Sequence, residues 1–152
     1  MTMENRRIRN ARVTEYKGIK FKSLLECSCY KKLELANLQF SYESERVLLW
    51  NGAKIKNVLV YAPSKRNFKY SQTLNNQTRA LLNITYTPDF VIVKDNYKIY
   101  FDVKGKENDV YPIKKKMFIK VLAERNDGFK YIFFEPHNVR QILQAIDIIN
   151  KL

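Results

Sequence analysis

The chain of 152 residues has only two cysteines, Cys27 and Cys29, and one histidine, His137. Two cysteines cannot complete a four-ligand zinc site, and on a helix residues two apart do not face each other. They are read as reduced thiols in a cytosolic setting. A single histidine excludes imidazole-rich metal sites and nuclease motifs built on histidine. With four glycines, there is no glycine-rich loop to cradle phosphates, so no nucleotide cofactor is expected. No apolar run approaches the roughly 20 residues that span a bilayer, and the first residues hold no apolar leader. Acids are also scarce: 15 Asp and Glu against 28 Lys and Arg, a formal charge of +13 and a pI of about 9.7.

That much positive charge repels itself unless a polyanion is the partner. Nucleic acid is the first candidate and an anionic membrane surface the second. No basic amphipathic helix stands apart from the core to favour the membrane. Hydrophobic content of 45% and aromatic content of 13% fit a folded chain rather than a disordered one, and the length fits one domain.

The stretch from Tyr86 to Lys104, YTPDFVIVKDNYKIYFDVK, organises the rest. Its two arms, Tyr86 to Val93 and Tyr97 to Val103, are rich in β-branched and aromatic residues. Asp95 and Asn96 between them tolerate the positive φ of a tight turn. A two-residue loop pairs Lys94 with Tyr97, and stepping back along both arms sets Asp89 opposite Asp102. Opposed carboxylates destabilise a sheet. Asp102 and Lys104 share a face because strand side chains alternate, while Phe101 and Val103 point the other way. Two readings follow: an exposed hairpin face with ordinary charges, or a divalent-metal site with a cation beside it.

Around this hairpin the chain reads as helix, strands, helix, strand, helix, an α/β arrangement of a mixed sheet flanked by helices. Residues 1–15 form a basic arm with Arg6, Arg7 and Arg9, either a solvated tail or an arm that orders on phosphates. Residues 16–152 form one domain with a polar insert near 62–84. Ser23 to Leu38 is the first helix. Ser23 and Glu26 make a capping box, yet Cys29, Tyr30 and Leu33 lie on the face of Glu26, so its carboxylate leans toward the protein. Phe40 to Trp50 and Lys54 to Tyr61 read as strands joined by an Asn51-Gly52 turn. The insert carries Lys65, Arg66 and Lys69, read as phosphate contacts or as an inert loop. Pro112 opens a helix with Ile113, Met117, Phe118, Val121 and Leu122 inward and Lys114, Lys115 and Lys116 off that stripe, read as a solvated face or, beside an acidic metal site, as phosphate contacts. Lys130 to Phe134 is a buried strand. Pro136 opens a last helix with Val139, Ile142, Leu143, Ile146 and Ile149 as its inner face, and His137 lies on its surface.

Pro88-Asp89 followed by Asp102-Val103-Lys104 resembles the signature of the PD-(D/E)xK nuclease superfamily. The likeness is to small phage-encoded endonucleases of the resolvase type, and it covers most of Phe21 to Glu135. Phe21-x-Ser23-x-x-Glu26 is similar to their acid-bearing helix. The resemblance implies a restriction-endonuclease-like core and hydrolysis of DNA phosphodiesters, leaving 5′-phosphate and 3′-hydroxyl ends. It implies catalytic roles for Glu26, Asp89, Asp102 and Lys104, with Mg2+ (Mn2+ substituting) on Glu26, Asp89, Asp102 and the Val103 carbonyl. Branched DNA is the first expected substrate and a homodimer the expected assembly. The apolar stretch from Phe40 to Tyr61 reads either as its interface or as strands buried in the monomer. The setting is cytoplasmic, that of the bacterial host if the chain is phage-encoded. Alternatives are a transposase-type DNA end-cutting subunit and a non-catalytic nucleic-acid-binding module of the same fold.

Overall fold

The computed structural model describes residues 13–74 and 80–152, and the side chains of 72–74 are left aside. Arg6, Arg7, Arg9 and the expected arm up to residue 12 lie outside the described residues, as does Arg79. The chain divides into two compact units, Met1–Val47 with Thr87–Leu152, and Leu48–Tyr86. The expected insert near 62–84 falls inside the second. No helix among the described residues is long and apolar enough to cross a membrane.

The first unit begins with a hairpin, β1 (Thr14–Tyr16) and β2 (Ile19–Phe21). Tyr16 pairs with Ile19 around Lys17 and Gly18, both at positive φ, as a tight right-twisted hairpin requires. Helix α1 (Leu24–Leu35) follows, with the Ser23 side chain accepting from the Glu26 N–H. The helix ends three residues before the expected Leu38. Asn37 takes a left-handed φ of 53°, and the Leu38 N–H closes back on the Leu33 carbonyl. This is a Schellman-type stop, which a sequence of good helix formers does not reveal.

A four-stranded sheet forms the centre of the unit, in the order β10 (Lys130–Phe134), β9 (Tyr97–Phe101), β8 (Phe90–Lys94), β3 (Phe40–Tyr42). β9 runs antiparallel to β8 with Lys94 opposite Tyr97 and Phe90 opposite Phe101, the register expected from a two-residue loop. Asp95 holds φ 51° there. β10 runs parallel to β9, and β3 antiparallel to β8. Alternation sends Phe90, Ile92, Ile99, Phe101 and Val103 to one face. They meet Cys29 and Leu33 of α1 and Ile142, Ala145, Ile146 and Ile149 of α3 (Val139–Asn150). On the other face Tyr100 meets Phe118 of α2 (Tyr111–Glu124) edge-on, and Phe118 meets Phe133. This unit is therefore a mixed α/β fold with helices on both faces of the sheet.

Several expectations are corrected. The arm expected over Tyr86 to Val93 breaks at Thr87 to Asp89, where Pro88 offers no N–H to a ladder. Its first part is β7 (Ile84–Tyr86), which pairs with β4 (Val47–Trp50). The run from Phe40 to Trp50 is not one strand: Glu43 turns at φ 46°, and β3 and β4 join different sheets. Asn51-Gly52 makes no hairpin. The chain runs on extended, with Ala53 and Leu81 exchanging both backbone bonds and the Gly52 N–H donating to Asn83 Oδ1. A Cβ at Gly52 would lie 2.0 Å from the Leu81 carbonyl oxygen, so the glycine serves close backbone approach, not a turn. Of the expected strand from Lys54 to Tyr61, only a bridge from Lys54 to Ala80 and the start of β5 (Val60–Pro63) exist. The polar stretch read as a loop contains β6 (Tyr70–Leu74), paired with β5. In α2, Ile113 is exposed and Tyr111 is buried in its place. α3 starts at Val139 behind an Asn138 cap, not at Pro136, and exposes Val139 and Leu143 while Ala145 is buried. His137 is on the surface, as expected.

Candidate active site at the end of the central sheet

The ladder between β9 and β10 continues past the strand ends. The Asp102 N–H donates to the Phe134 carbonyl and the Lys104 N–H to the Pro136 carbonyl. Alternation turns the Val103 N–H toward β8, where the backbone has already left at Pro88. Asp89 fills the gap with its side chain: Oδ2 accepts the Val103 N–H at 2.7 Å. The Asp89 carbonyl accepts from the Glu43 N–H, which extends the β3 side. So Asp89 is fixed at both ends, and the proline before it explains why a side chain completes the ladder.

Asp102 is 1% exposed. Its Oδ2 lies 2.9 Å from the Lys104 Nζ, yet among the described residues that oxygen has no hydrogen-bond partner. The contact with Lys104 is an ion pair and not a hydrogen bond. Buried carboxylate oxygens are nearly always satisfied. Lys104 Nζ also sits 4.4 Å from the centre of the Tyr111 ring, which adds cation–π attraction.

Glu26 comes from the first turn of α1 and is 7% exposed. Its Oε1 accepts from Ser23 Oγ at 3.0 Å and its Oε2 from Tyr42 Oη at 2.8 Å. Oε2 also takes the Lys22 N–H at 3.3 Å. The capping interaction and an inward carboxylate therefore coexist. The electrostatics tie the acids together. Burial first, then the charges of Asp102 and Glu26, push the Asp89 carboxyl up to about 8, against the pull of the Val103 N–H and Lys104. Asp89 feels the charges of both Asp102 and Glu26, but the three are not a set whose ligand atoms all lie within 4.8 Å of one another. Among the described residues the set of three ligand atoms within 4.8 Å of one another belongs to Glu107, Glu135 and His137.

Residues 6–132 match the family described as protein of unknown function (DUF1064). That span is more than half of the chain. The chain belongs to the DUF1064 family. No curated protein and no solved structure matches it. In this DUF1064 chain, Glu26, Asp89, Asp102, Val103 and Lys104 all fall within the matched span, whereas Glu135 and His137 lie beyond it.

The expected phosphate contacts fall in both units. Lys65, Arg66 and Lys69 are exposed in the second unit, at the turn between β5 and β6. Lys115 is held by Glu135, 2.8 Å from Oε2. Lys114 is half-buried and Lys116 exposed. Sequence reading missed three participants: Tyr42, Tyr111 and Glu135. Tyr111 Oη donates to Glu135 Oε2. Burial pushes the Glu135 carboxyl up, but Lys115, Tyr111 and His137 outweigh it and hold it below the ordinary range. A signal for Glu135 existed: it follows the apolar strand KYIFF, at the carboxyl end where open α/β sheets place ligands. Nothing in the sequence marks Tyr42 or Tyr111.

The donor set fits a hard divalent cation. Oxygen ligands are what Mg2+ takes, Asp102 Oδ2 has no hydrogen-bond partner among the described residues, and a cation would offset the burial and the neighbouring charges that push the Asp89 carboxyl up. Asp89 and Asp102 would hold it directly. Glu26, already bonded to Ser23 and Tyr42, would act through water.

Proposed function

We propose that this protein is a divalent-metal-dependent endonuclease of the PD-(D/E)xK type that hydrolyses DNA phosphodiesters, with branched DNA as its first substrate. The observation that carries the reading is the buried carboxylate pair at the hairpin end, Asp89 and Asp102, with an unsatisfied Asp102 oxygen and Lys104 beside it. The order of an acid-bearing helix, a hairpin and a lysine-rich helix supports the restriction-endonuclease-like core. Excess positive charge supports a polyanionic substrate.

Mg2+ or Mn2+, when bound, lowers the pKa of a coordinated water and neutralises charge on the phosphate. The chain's own residues do the rest. Asp89 and Asp102 supply the anionic cradle. Glu26 keeps an acceptor at its edge, oriented by Tyr42 and Ser23. Lys104, placed by Asp102 and the Tyr111 ring, orients the attacking water and stabilises charge that develops in the transition state. Because Lys104 is held before substrate arrives, little reorganisation is needed at the reactive step. Cleavage at a four-way junction calls for two symmetric nicks. One such acid set per chain supports a homodimer, and two-fold symmetry is the commonest closed assembly.

The test is cleavage of an end-labelled four-way junction, a linear duplex and a single strand, each in Mg2+ and in EDTA. The junction is nicked in Mg2+ alone, and Asp102→Ala abolishes nicking while the far-ultraviolet circular dichroism is kept. An Asp102→Ala variant that cuts at the wild-type rate ends the proposal.

A further inference from the structure

The unit of residues 48–86 holds Lys54, Lys56, Lys65, Arg66, Lys69 and Arg79 and neither Asp nor Glu. Such a charge balance attracts a polyanion. Phosphates ask only for cations, however, and this unit also leaves aromatic rings in water. Phe68 is 83%, Tyr70 75% and Tyr61 56% exposed. The pairing of β5 with β6 sets Pro63 opposite Tyr70. Tyr61 stands two residues from Pro63, so Tyr61, Pro63 and Tyr70 share one face of the hairpin. The tip between the strands is tied down. The Ser64 N–H donates to the Lys69 carbonyl at 2.9 Å, and the Phe68 N–H to the Ser64 carbonyl at 2.9 Å. The Lys69 N–H donates to Asn67 Oδ1. These bonds hold Phe68 at φ 56°, a left-handed conformation uncommon for a bulky residue. A strained backbone thus presents an exposed ring beside Arg66 and Lys69.

We infer that the β5–β6 hairpin binds unpaired nucleotides of a DNA strand, with Tyr61, Phe68 and Tyr70 stacking on bases while Lys65, Arg66 and Lys69 match phosphates. Duplex bases offer only their edges in the grooves, whereas an unpaired base offers a ring face. Aromatic rings set among cations are the recurrent device for single strands. The choice of DNA over RNA rests on the nuclease reading above; the preference for unpaired bases does not. For that reading the inference specifies the substrate: branched DNA with unpaired bases at or near the branch.

The test is fluorescence anisotropy of the full chain in EDTA, where no cleavage occurs, against labelled oligothymidylate, oligouridylate and a duplex of the same length. Wild type binds oligothymidylate more tightly than duplex. Phe68→Ala and Tyr70→Ala each weaken oligothymidylate binding about tenfold and leave the duplex affinity and the salt dependence unchanged. Phe68→Leu, which keeps apolar area without a ring face, loses as much as Phe68→Ala. Lys65→Ala with Arg66→Ala flattens the salt dependence instead. The inference is overturned if the ring variants bind oligothymidylate like wild type, or if Phe68→Leu restores binding. Equal losses on duplex, or removal of the rings that only disperses a dimer in sedimentation, overturn it as well. Oligouridylate bound about tenfold more tightly than oligothymidylate overturns the assignment to DNA. Binding through Phe68 by a chain that cleaves no DNA removes the nuclease reading and leaves this one. Cleavage indifferent to the rings does the reverse.

Discussion

Asp89→Asn removes a charge from the candidate site while keeping its shape. Asp89 Oδ2 accepts the Val103 N–H at 2.7 Å, and a carboxamide oxygen can take that bond. Burial, Asp102 and Glu26 push the Asp89 carboxyl up to about 8 in the folded chain, whereas an unfolded aspartate titrates near 4. The folded value lies above the unfolded one. Stability from this group is therefore present in full below about pH 4 and is lost as the pH rises toward 8. Each pH unit inside that window costs about 1.4 kcal/mol. Between about pH 5 and pH 8 the metal-free wild type loses on the order of a few kcal/mol by this route, a large part of the roughly 5–15 kcal/mol that holds a domain folded. Asp89→Asn has no such loss, so its advantage over wild type widens by that amount across the same range. Asp89→Ala also drops the acceptor and leaves the buried Val103 N–H unmatched, which costs about 1–3 kcal/mol, so it lies below Asn throughout. Urea unfolding in EDTA, followed by circular dichroism at several pH values, measures the gaps. A wild-type-to-Asn gap that stays constant to within about 1 kcal/mol from pH 5 to pH 8 refutes the reasoning. With Mg2+ in place of EDTA, wild type at pH 8 is stabilised more than Asp89→Asn, because the ligand binds only the folded state with its carboxylates in place.

Lys104→Ala lowers the rate of the chemical step by at least about 100-fold and changes DNA affinity less than about twofold, since phosphate attraction is spread over many cations; single-turnover kinetics beside equilibrium binding separate the two, and equal losses would show Lys104 to be only an anchor. Gly52→Ala forces a Cβ to 2.0 Å from the Leu81 carbonyl oxygen and destabilises the pairing of β4 with β7 by about 3 kcal/mol, read as faster amide hydrogen exchange at Ala53 and Leu81. Tyr42→Phe deletes the 2.8 Å bond to Glu26 and costs about 1.5–3 kcal/mol, the range for a bond to a charged group, by urea unfolding. Light scattering at micromolar concentration returns a homodimer, and Trp50→Glu with Leu59→Glu, at positions 40% and 59% exposed, disperses it; a monomer with and without junction that still nicks in pairs would refute the symmetric arrangement.

Local chemistry alone determined several parts of this protein. Asp95 tolerates a left-handed φ, so the β8–β9 loop could be held to two residues, and a two-residue loop fixes every pair along both arms. That register brought Asp89 and Asp102 together on paper because the side-chain period of a strand is two. Ser23 and Glu26 marked the start of α1 because a capping bond spans only three residues. The tertiary structure decided what depended on distant partners. Asn51-Gly52 after an apolar run is compatible with a hairpin or with close backbone pairing, and Leu81, about thirty residues on, selected the second. Ile113 fits a helical stripe as well as Phe118 does, but only Phe118 meets Tyr100 and Phe133 across the sheet. The surroundings of Lys104 come from Tyr111, and Glu135 holds both Tyr111 and Lys115 from the far end of a parallel strand. Periodicity reports which face of an element is apolar. It carries no information about which element will cover that face, because that is settled by the free energy of packing the whole chain at once.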